Sequence, residues 1–246
     1  MSETREWNCV LATDLDGTFL GGSEEQRAHL YGHIEDRDDL LLIFVTGRDI
    51  DFIAELVAQP GMPRPRLIIG DVGTSIYDGE TFEPIPALEA EIATRWGDAG
   101  DRVVDMLKDE PGLTLQPTPF RHRVSYDCKP AELAPDLVQR VEAEGFDGLI
   151  SAGRFFDVLP KGVAKGPTLL RLVEHFGLDP AKVLVAGDTL NDLSLFETGL
   201  KGVAVGNSEP DLITAIATRP TVFHSPFEGA GGIADALRHF DFRVGA

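Results

Sequence analysis

Cysteine is scarce in this 246-residue chain: only Cys9 and Cys128 occur, neither in a CxxC pair nor beside clustered histidines. A disulfide framework or a structural zinc site therefore has no support, and both residues read as buried thiols. Positive charge is also short, with 22 Lys and Arg against 41 Asp and Glu and a net charge of −19. That balance argues against nucleic acid or an anionic membrane as partner, because both are captured by basic patches that neutralise phosphate. Any anionic substrate must meet a local positive site. Long apolar runs are missing as well: the strongest, Leu40 to Val45, is far below the ~20 residues that cross a bilayer. The start, Met1 to Trp7, has no apolar targeting core, so the expected address is the cytoplasm. What is present is ordinary globular material, 43% hydrophobic and 26% charged.

Strand and helix patterns alternate at both ends of the chain. Cys9 to Thr13 and Leu40 to Val45 are continuous apolar runs of the kind buried in a parallel sheet. Ser23 to Arg37 lies between them as a helix, and a second helix from Asp49 to Ala58 precedes the Pro60-Gly61 stop and a strand at Leu67 to Ile69. Beyond residue 160 the logic repeats. Helices are expected at Thr168 to Phe176, near Leu190 to Phe196, after Glu209 and over Gly232 to His239, with strands at Val183 to Ala186, Gly202 to Val205 and Thr221 to Phe223. The middle differs: a long helical stretch, an alternating segment Phe120 to Tyr126, a helix from Ala131 to Glu144, and paired runs at Gly148 to Ser151 and Phe155 to Leu159. The pattern predicts an α/β protein, a doubly wound, Rossmann-like parallel-sheet core of residues 1–78 and 160–246 with an α+β insert over 79–159.

Asp14-Leu15-Asp16-Gly17-Thr18 stands where the first strand ends. In an open parallel sheet, ligands bind outside the carboxyl ends of the strands, so both carboxylates are placed for chemistry. Two acids two residues apart suit phosphoryl transfer with Mg2+: one attacks phosphorus, and the other passes a proton to the leaving oxygen and later activates water. An acidic turn is the plainer alternative. Thr46-Gly47-Arg48 ends the second strand before a helix whose N-terminus favours anions. Asp188 follows the 183–186 strand within Gly187-Asp188-Thr189-Leu190-Asn191-Asp192, and could complete a metal site or merely cap the next helix. Lys165 opens a helix, where its charge is misplaced unless an anion lies near.

In order and over the whole chain, DLDGT at 14–18, VTGR at 45–48, KG at 165–166 and GDTLND at 187–192 resemble the four motifs of the haloacid dehalogenase-like phosphatases. The resemblance implies that Asp14 is the nucleophile and forms an aspartyl-phosphate, and that Asp16 is general acid and then base. It further implies that Thr46 and Lys165 hold the phosphoryl oxygens, while Asp14, the Asp16 carbonyl and Asp188 bind Mg2+ with Asp192 in support. Lys161-Gly162 competes with Lys165-Gly166, and the latter is preferred for its place at the helix start. Only 27 residues separate Thr18 from Thr46, whereas 118 separate Thr46 from Lys165. That spacing resembles the C2-capped group, whose cap would be the 79–159 insert.

IIGDVGTSIY at 68–77, FDVLPKG at 156–162, GLKGVAVGNSEPDL at 199–212, GAGGI at 229–233 and HFDF at 239–242 narrow the resemblance to the sucrose-phosphatase-like enzymes. The implied substrate is a small phosphorylated disaccharide or glycoside, supplied by an upstream glycosyltransferase whose contact with this chain the sequence leaves open. Gly47, Arg48, Asn191 and Asp157 are the expected sugar contacts. His122, Arg123 and Tyr126 could face the cleft too, against the plainer reading of a solvated sheet face. Alternatives are a general sugar phosphatase, a mannosyl- or glucosyl-3-phosphoglycerate phosphatase, or a phospho-accepting domain resembling a receiver. The last predicts a smaller chain and a phosphoacceptor in the middle of the sheet.

Overall fold

The computed structural model describes residues 6–242, so the first five residues of the polar N-terminal stretch lie outside it. A seven-stranded sheet has the order β11-β10-β9-β1-β2-β3-β4, parallel except for β4. Its strands are β1 Cys9–Thr13, β2 Leu40–Val45, β3 Leu67–Gly70, β4 Ser75–Asp78, β9 Val183–Gly187, β10 Lys201–Ala204 and β11 Val222–His224. Side chains of β1 and β2 alternate between two apolar layers. Leu11, Leu42 and Phe44 join helices α1 (Glu24–Glu35), α2 (Ile50–Val57) and α9 (Gly229–His239) on one face. Val10, Ile43 and Val45 join α6 (Lys165–His175), α7 (Leu193–Phe196) and α8 (Pro210–Ile216) on the other. Burial on both faces is why these strands read as unbroken apolar runs.

The chain leaves β1 toward β2 and β3 on one side, and later returns to β9 on the other. The switch point therefore lies between β1 and β9, where a crevice opens at the carboxyl ends. Thr13 pairs in register with Ala186 and with Phe44. Asp14, Asp188 and Thr46 are thereby brought to one edge although they are far apart in sequence.

A second, antiparallel sheet has the order β5-β6-β8-β7, from β5 Leu113–Leu115, β6 Val124–Cys128, β7 Phe146–Ser151 and β8 Phe155–Pro160. It encloses its own apolar cluster with α4 (Ala99–Leu107) and α5 (Leu137–Ala143). Helix α3 (Pro86–Trp96) belongs to both layers: Leu88 and Ile92 pack under the large sheet, and Trp96 packs under the small one.

Several elements differ from the sequence reading. The long helical stretch is two helices, parted at Gly97, whose φ of +58° few other residues accept. The expected 131–144 helix is cut by Pro135, which keeps Ala134 out of helical geometry, so only Leu137–Ala143 is α-helical. The alternating run at 120–126 becomes strand only from Val124, and the side chains of residues 121–123 bond instead to Glu89 of α3, Tyr77 of β4, the Thr74 carbonyl and the Gly47 carbonyl. Short strands β4 and β5 carry too few residues to show a period. Cys9 and Cys128 are both buried and free.

Candidate active site

The turn after β1 is a single wide turn of π type over Leu15–Phe19. Phe19 N–H donates to the Asp14 carbonyl, and Gly17 sits at φ +79°. A Cβ on Gly17 would stand 2.2 Å from Asp188 Oδ2, so only glycine lets the two loops approach. Asp14 remains 5% exposed at the crevice floor, and its backbone N–H bonds the Ala186 carbonyl of β9.

Lys165, the first residue of α6, is fully buried. Its Nζ donates to Asp14 Oδ1 at 2.7 Å, Asn191 Oδ1 at 2.8 Å and Asp192 Oδ1 at 2.6 Å. Lys161 lies on the surface, paired with Asp147, so the structure brings the second lysine and not the first to the carboxylates. The other oxygen of Asp192 accepts from the N–H groups of Asp188 and Thr189, which shapes the turn after β9. Asp188 accepts from the Thr18 hydroxyl at 2.7 Å and from Asn207 Nδ2 at 3.3 Å.

Asp14, Asp188 and Asp192 each offer an oxygen, and these atoms lie within 4.8 Å of one another. Three buried carboxylates against one ammonium leave two negative charges uncompensated, at high desolvation cost. Burial drives the Asp14 carboxyl well above the usual carboxylate range, opposed by Lys165. Burial also works against the charge on Lys165, but Asp14 and Asp192 outweigh it and hold the ammonium above its ordinary range. Asp188 is pushed up to about 7, first by burial and then by Asp192. An all-oxygen set with two surplus negative charges fits a hard divalent cation.

Asp16 points away from this cluster. Its exposed carboxylate takes two parallel bonds from Arg48, Nε and Nη2 at 2.8 Å each, and the Arg48 guanidinium lies 4.3 Å over the Phe52 ring. Thr46 is fully buried, and its Oγ1 accepts the Arg48 N–H. Gly47 adjoins Val72, and its carbonyl accepts from Arg123 at 2.9 Å. The expected sugar contacts divide. Arg48 and Asn191 reach the crevice, whereas Asp157 is 4% exposed and its Oδ1 is taken by Arg123 and Ser125. Arg123 and Tyr126 are buried, so the solvated-face reading fails for them; His122 Nδ1 lies 3.3 Å from the Thr74 carbonyl.

Thr18, Asn207 and the Arg123 bridge escaped residue-by-residue reading. Asn207 donates to the Gly17 carbonyl and to Asp188, and accepts from Gly229 N–H. Neither Thr18 nor Asn207 carries a charge to mark it, and only membership in DLDGT and in the 199–212 segment could have drawn attention to them.

A family model for sucrose-6F-phosphate phosphohydrolase matches residues 7–241. A glucosylglycerol-phosphate synthase of Pseudomonas anguilliseptica is 44% identical over 95% of this chain, which spans only 31% of that protein. A mannosylfructose-phosphate phosphatase of Agrobacterium fabrum is 31% identical, over 94% of this chain and 96% of its own length. The sucrose-phosphatase of Synechocystis, solved in complex with sucrose and phosphate, is similar with a TM-score of 0.85 and 27% identity, over 96% of this chain and 98% of that one.

Proposed function

The chain belongs to the sucrose-6F-phosphate phosphohydrolase family of haloacid dehalogenase-like phosphoric monoester hydrolases, and from that membership we propose that it hydrolyses a phosphorylated disaccharide or related glycoside. The observation that carries this reading is the bond from buried Lys165 to Asp14 inside the carboxylate cluster. A carboxylate held beside an ammonium at the crevice floor is a nucleophile for phosphorus with its charge partner in place.

In this reading Asp14 attacks the phosphorus in line, the ester P–O bond breaks, and the sugar oxygen takes a proton from Asp16. Asp16 then removes a proton from water, the water oxygen attacks the phosphorus of the aspartyl-phosphate, and inorganic phosphate leaves with Asp14 restored. Thr46 and Lys165 hold phosphoryl oxygens, and Asp16 leaves its two-bond pair with Arg48 to carry the proton it donates. Asp14, Asp188 and the Asp16 carbonyl, with Asp192 in support, would hold Mg2+, which when bound offsets charge on the phosphoryl group and on Asp14. Residues 79–159 serve as the cap, whose small sheet reaches the turn after β2 through Arg123 and the turn after β9 through β7. Two free buried thiols suit the cytoplasm, and no helix among the described residues is long and apolar enough to cross a membrane.

The names of the two relatives put glucosylglycerol phosphate and mannosylfructose phosphate beside sucrose 6-phosphate in the test. Phosphate release is measured over these three, the 3-phosphoglycerate glycosides, simple hexose phosphates and nucleotides, with Mg2+ and with EDTA. One glycoside phosphate with kcat/KM far above glucose 6-phosphate, abolished by EDTA, is the expected result. Equal rates on all small phosphates reduce the reading to a general sugar phosphatase, and absence of EDTA-sensitive release overturns it.

A further inference from the structure

Three successive carbonyls of the Thr46-Gly47-Arg48 turn are each held by one donor. Val72 N–H donates to Thr46 O at 3.0 Å, and Asp71 N–H donates to Arg48 O at 3.0 Å. Both donors come from the loop after β3, where Asp71 and Val72 take left-handed φ of 53° and 58°. Such a backbone is costly for a β-branched residue and persists only where its surroundings enforce it. The middle carbonyl, that of Gly47, is served by the cap: Arg123 Nη2 donates to it at 2.9 Å.

Arg123 is built for this one placement. Its side chain is 5% exposed, Nη1 donates to Asp157 Oδ1 of β8 at 3.0 Å, and Nη2 also faces Asp71 Oδ1 at 3.6 Å. The Phe120 ring lies 3.7 Å from its Cζ. One edge of the planar fork is thus anchored in the small sheet, and the other reaches the large one, a span an ammonium cannot make. Asp157 is the anchor of this fork.

The Gly47 carbonyl and the Arg48 N–H belong to one planar peptide unit. That N–H donates to Thr46 Oγ1 at 3.2 Å, so the unit is pinned by the cap at one edge and by the core at the other. Arg48 in turn grips Asp16. We propose that Arg123 is a positioning residue through which the cap aligns the Thr46-Gly47-Arg48 phosphate cradle. The proposal rests on the phosphatase reading above. It makes transition-state stabilisation at the phosphoryl group, rather than ground-state affinity for the sugar, depend on a cap residue that contacts no substrate.

The test uses Arg123→Met, Arg123→Lys and Asp157→Asn in the full chain, assayed with p-nitrophenyl phosphate, with the preferred glycoside phosphate, and with orthovanadate as a phosphoryl mimic. Thermal midpoints above the assay temperature establish folding. Loss of one charge-assisted bond predicts a fall in kcat of about tenfold to a hundredfold on both substrates and about tenfold weaker vanadate inhibition. The glycoside KM should move much less. Hydrogen exchange at the Arg48 amide should quicken in Arg123→Met, and Arg123→Lys should recover part of every effect through its single bond. A rise in glycoside KM alone, with kcat and vanadate inhibition unchanged, would make Arg123 a sugar contact and overturn the proposal. If Arg123→Met does not fold, native kcat and native vanadate inhibition in both other variants overturn it equally. Failure of the unaltered protein to release phosphate or bind vanadate strikes the phosphatase reading instead, and the exchange rate of the Arg48 amide still judges the bridge.

Discussion

Lys165 Nζ stands 2.7 Å from Asp14 Oδ1, although the two residues are 151 positions apart in the chain. The parallel pairing of β9 with β1 brings the 188–192 turn to the same edge. The first turn of α6 then delivers the lysine between Asp14 and Asp192 with no exposure to solvent.

Removing that ammonium leaves buried carboxylates without a counter-charge. Lys165→Met should lower stability by about 3 to 5 kcal/mol, as breakage of a buried pair does, and should abolish steady-state phosphate release. Lys161→Met, at an exposed pair with Asp147, should change neither by much. Urea unfolding and phosphate assays on the two variants decide the matter, and equal effects would show that the KG motifs had been assigned wrongly.

Asp14→Asn keeps the shape of the nucleophile and removes a charge that burial disfavours. The variant should fold with a thermal midpoint no lower than the parent, while phosphate release falls by about a thousandfold or more. Acid-quenched incubation with 32P-labelled substrate should label the parent and not the variant. Labelling of Asp14→Asn would place the nucleophile at another residue, and a parent that takes no label would remove the covalent route.

Metal binding should depend on pH through Asp188. Its folded carboxyl titrates near 7, against ~3.9 when unfolded. Between those values the native state keeps a proton that the unfolded chain has lost, so this group's stabilisation is complete below the lower value and lost as pH rises through the upper. A divalent cation must displace that proton. The Mg2+-induced rise in Tm should therefore be small near about pH 5.5 and reach its plateau above about pH 7.5, as followed by scanning fluorimetry. A shift independent of pH would place the cation elsewhere.

Gly17→Ala tests the approach of the two loops. The added Cβ would meet Asp188 Oδ2 at 2.2 Å, at a φ of +79°. The left-handed backbone alone costs roughly 1 to 2 kcal/mol, and displacement of Asp188 should weaken Mg2+ binding by at least about tenfold. Calorimetric titration with Mg2+ measures it, and native affinity would show that Asp188 is not a ligand.

Apolar runs and turn residues sufficed to read the six parallel strands of the large sheet. Cys9–Thr13 and Leu40–Val45 match the expected strands because a strand buried on both faces writes its whole length as hydrophobic sequence. Short edge elements such as β4 and β5 left no such trace, and Pro135 broke a helix whose periodicity looked continuous. At the site, charged residues at strand ends were visible as candidates. The partner of each was not, since Asp16 turns to Arg48 and Asp157 turns to Arg123 rather than to an open cleft.

By itself the sequence determined the chemistry available: carboxylates after the first strand and after the 183–187 strand, a hydroxyl and glycine after the second, and a lysine at a helix start. These follow from local order, because strand ends and helix starts are written within a few residues of chain. Only the tertiary structure decided which groups meet. Burial of Lys165 among three acids, the glycine-only gap beside Asp188, and the reach of Arg123 from the small sheet to the Gly47 carbonyl all join segments distant in the chain. Such contacts depend on parallel strand register and on the packing of one layer over another, and no local pattern of residues carries that information.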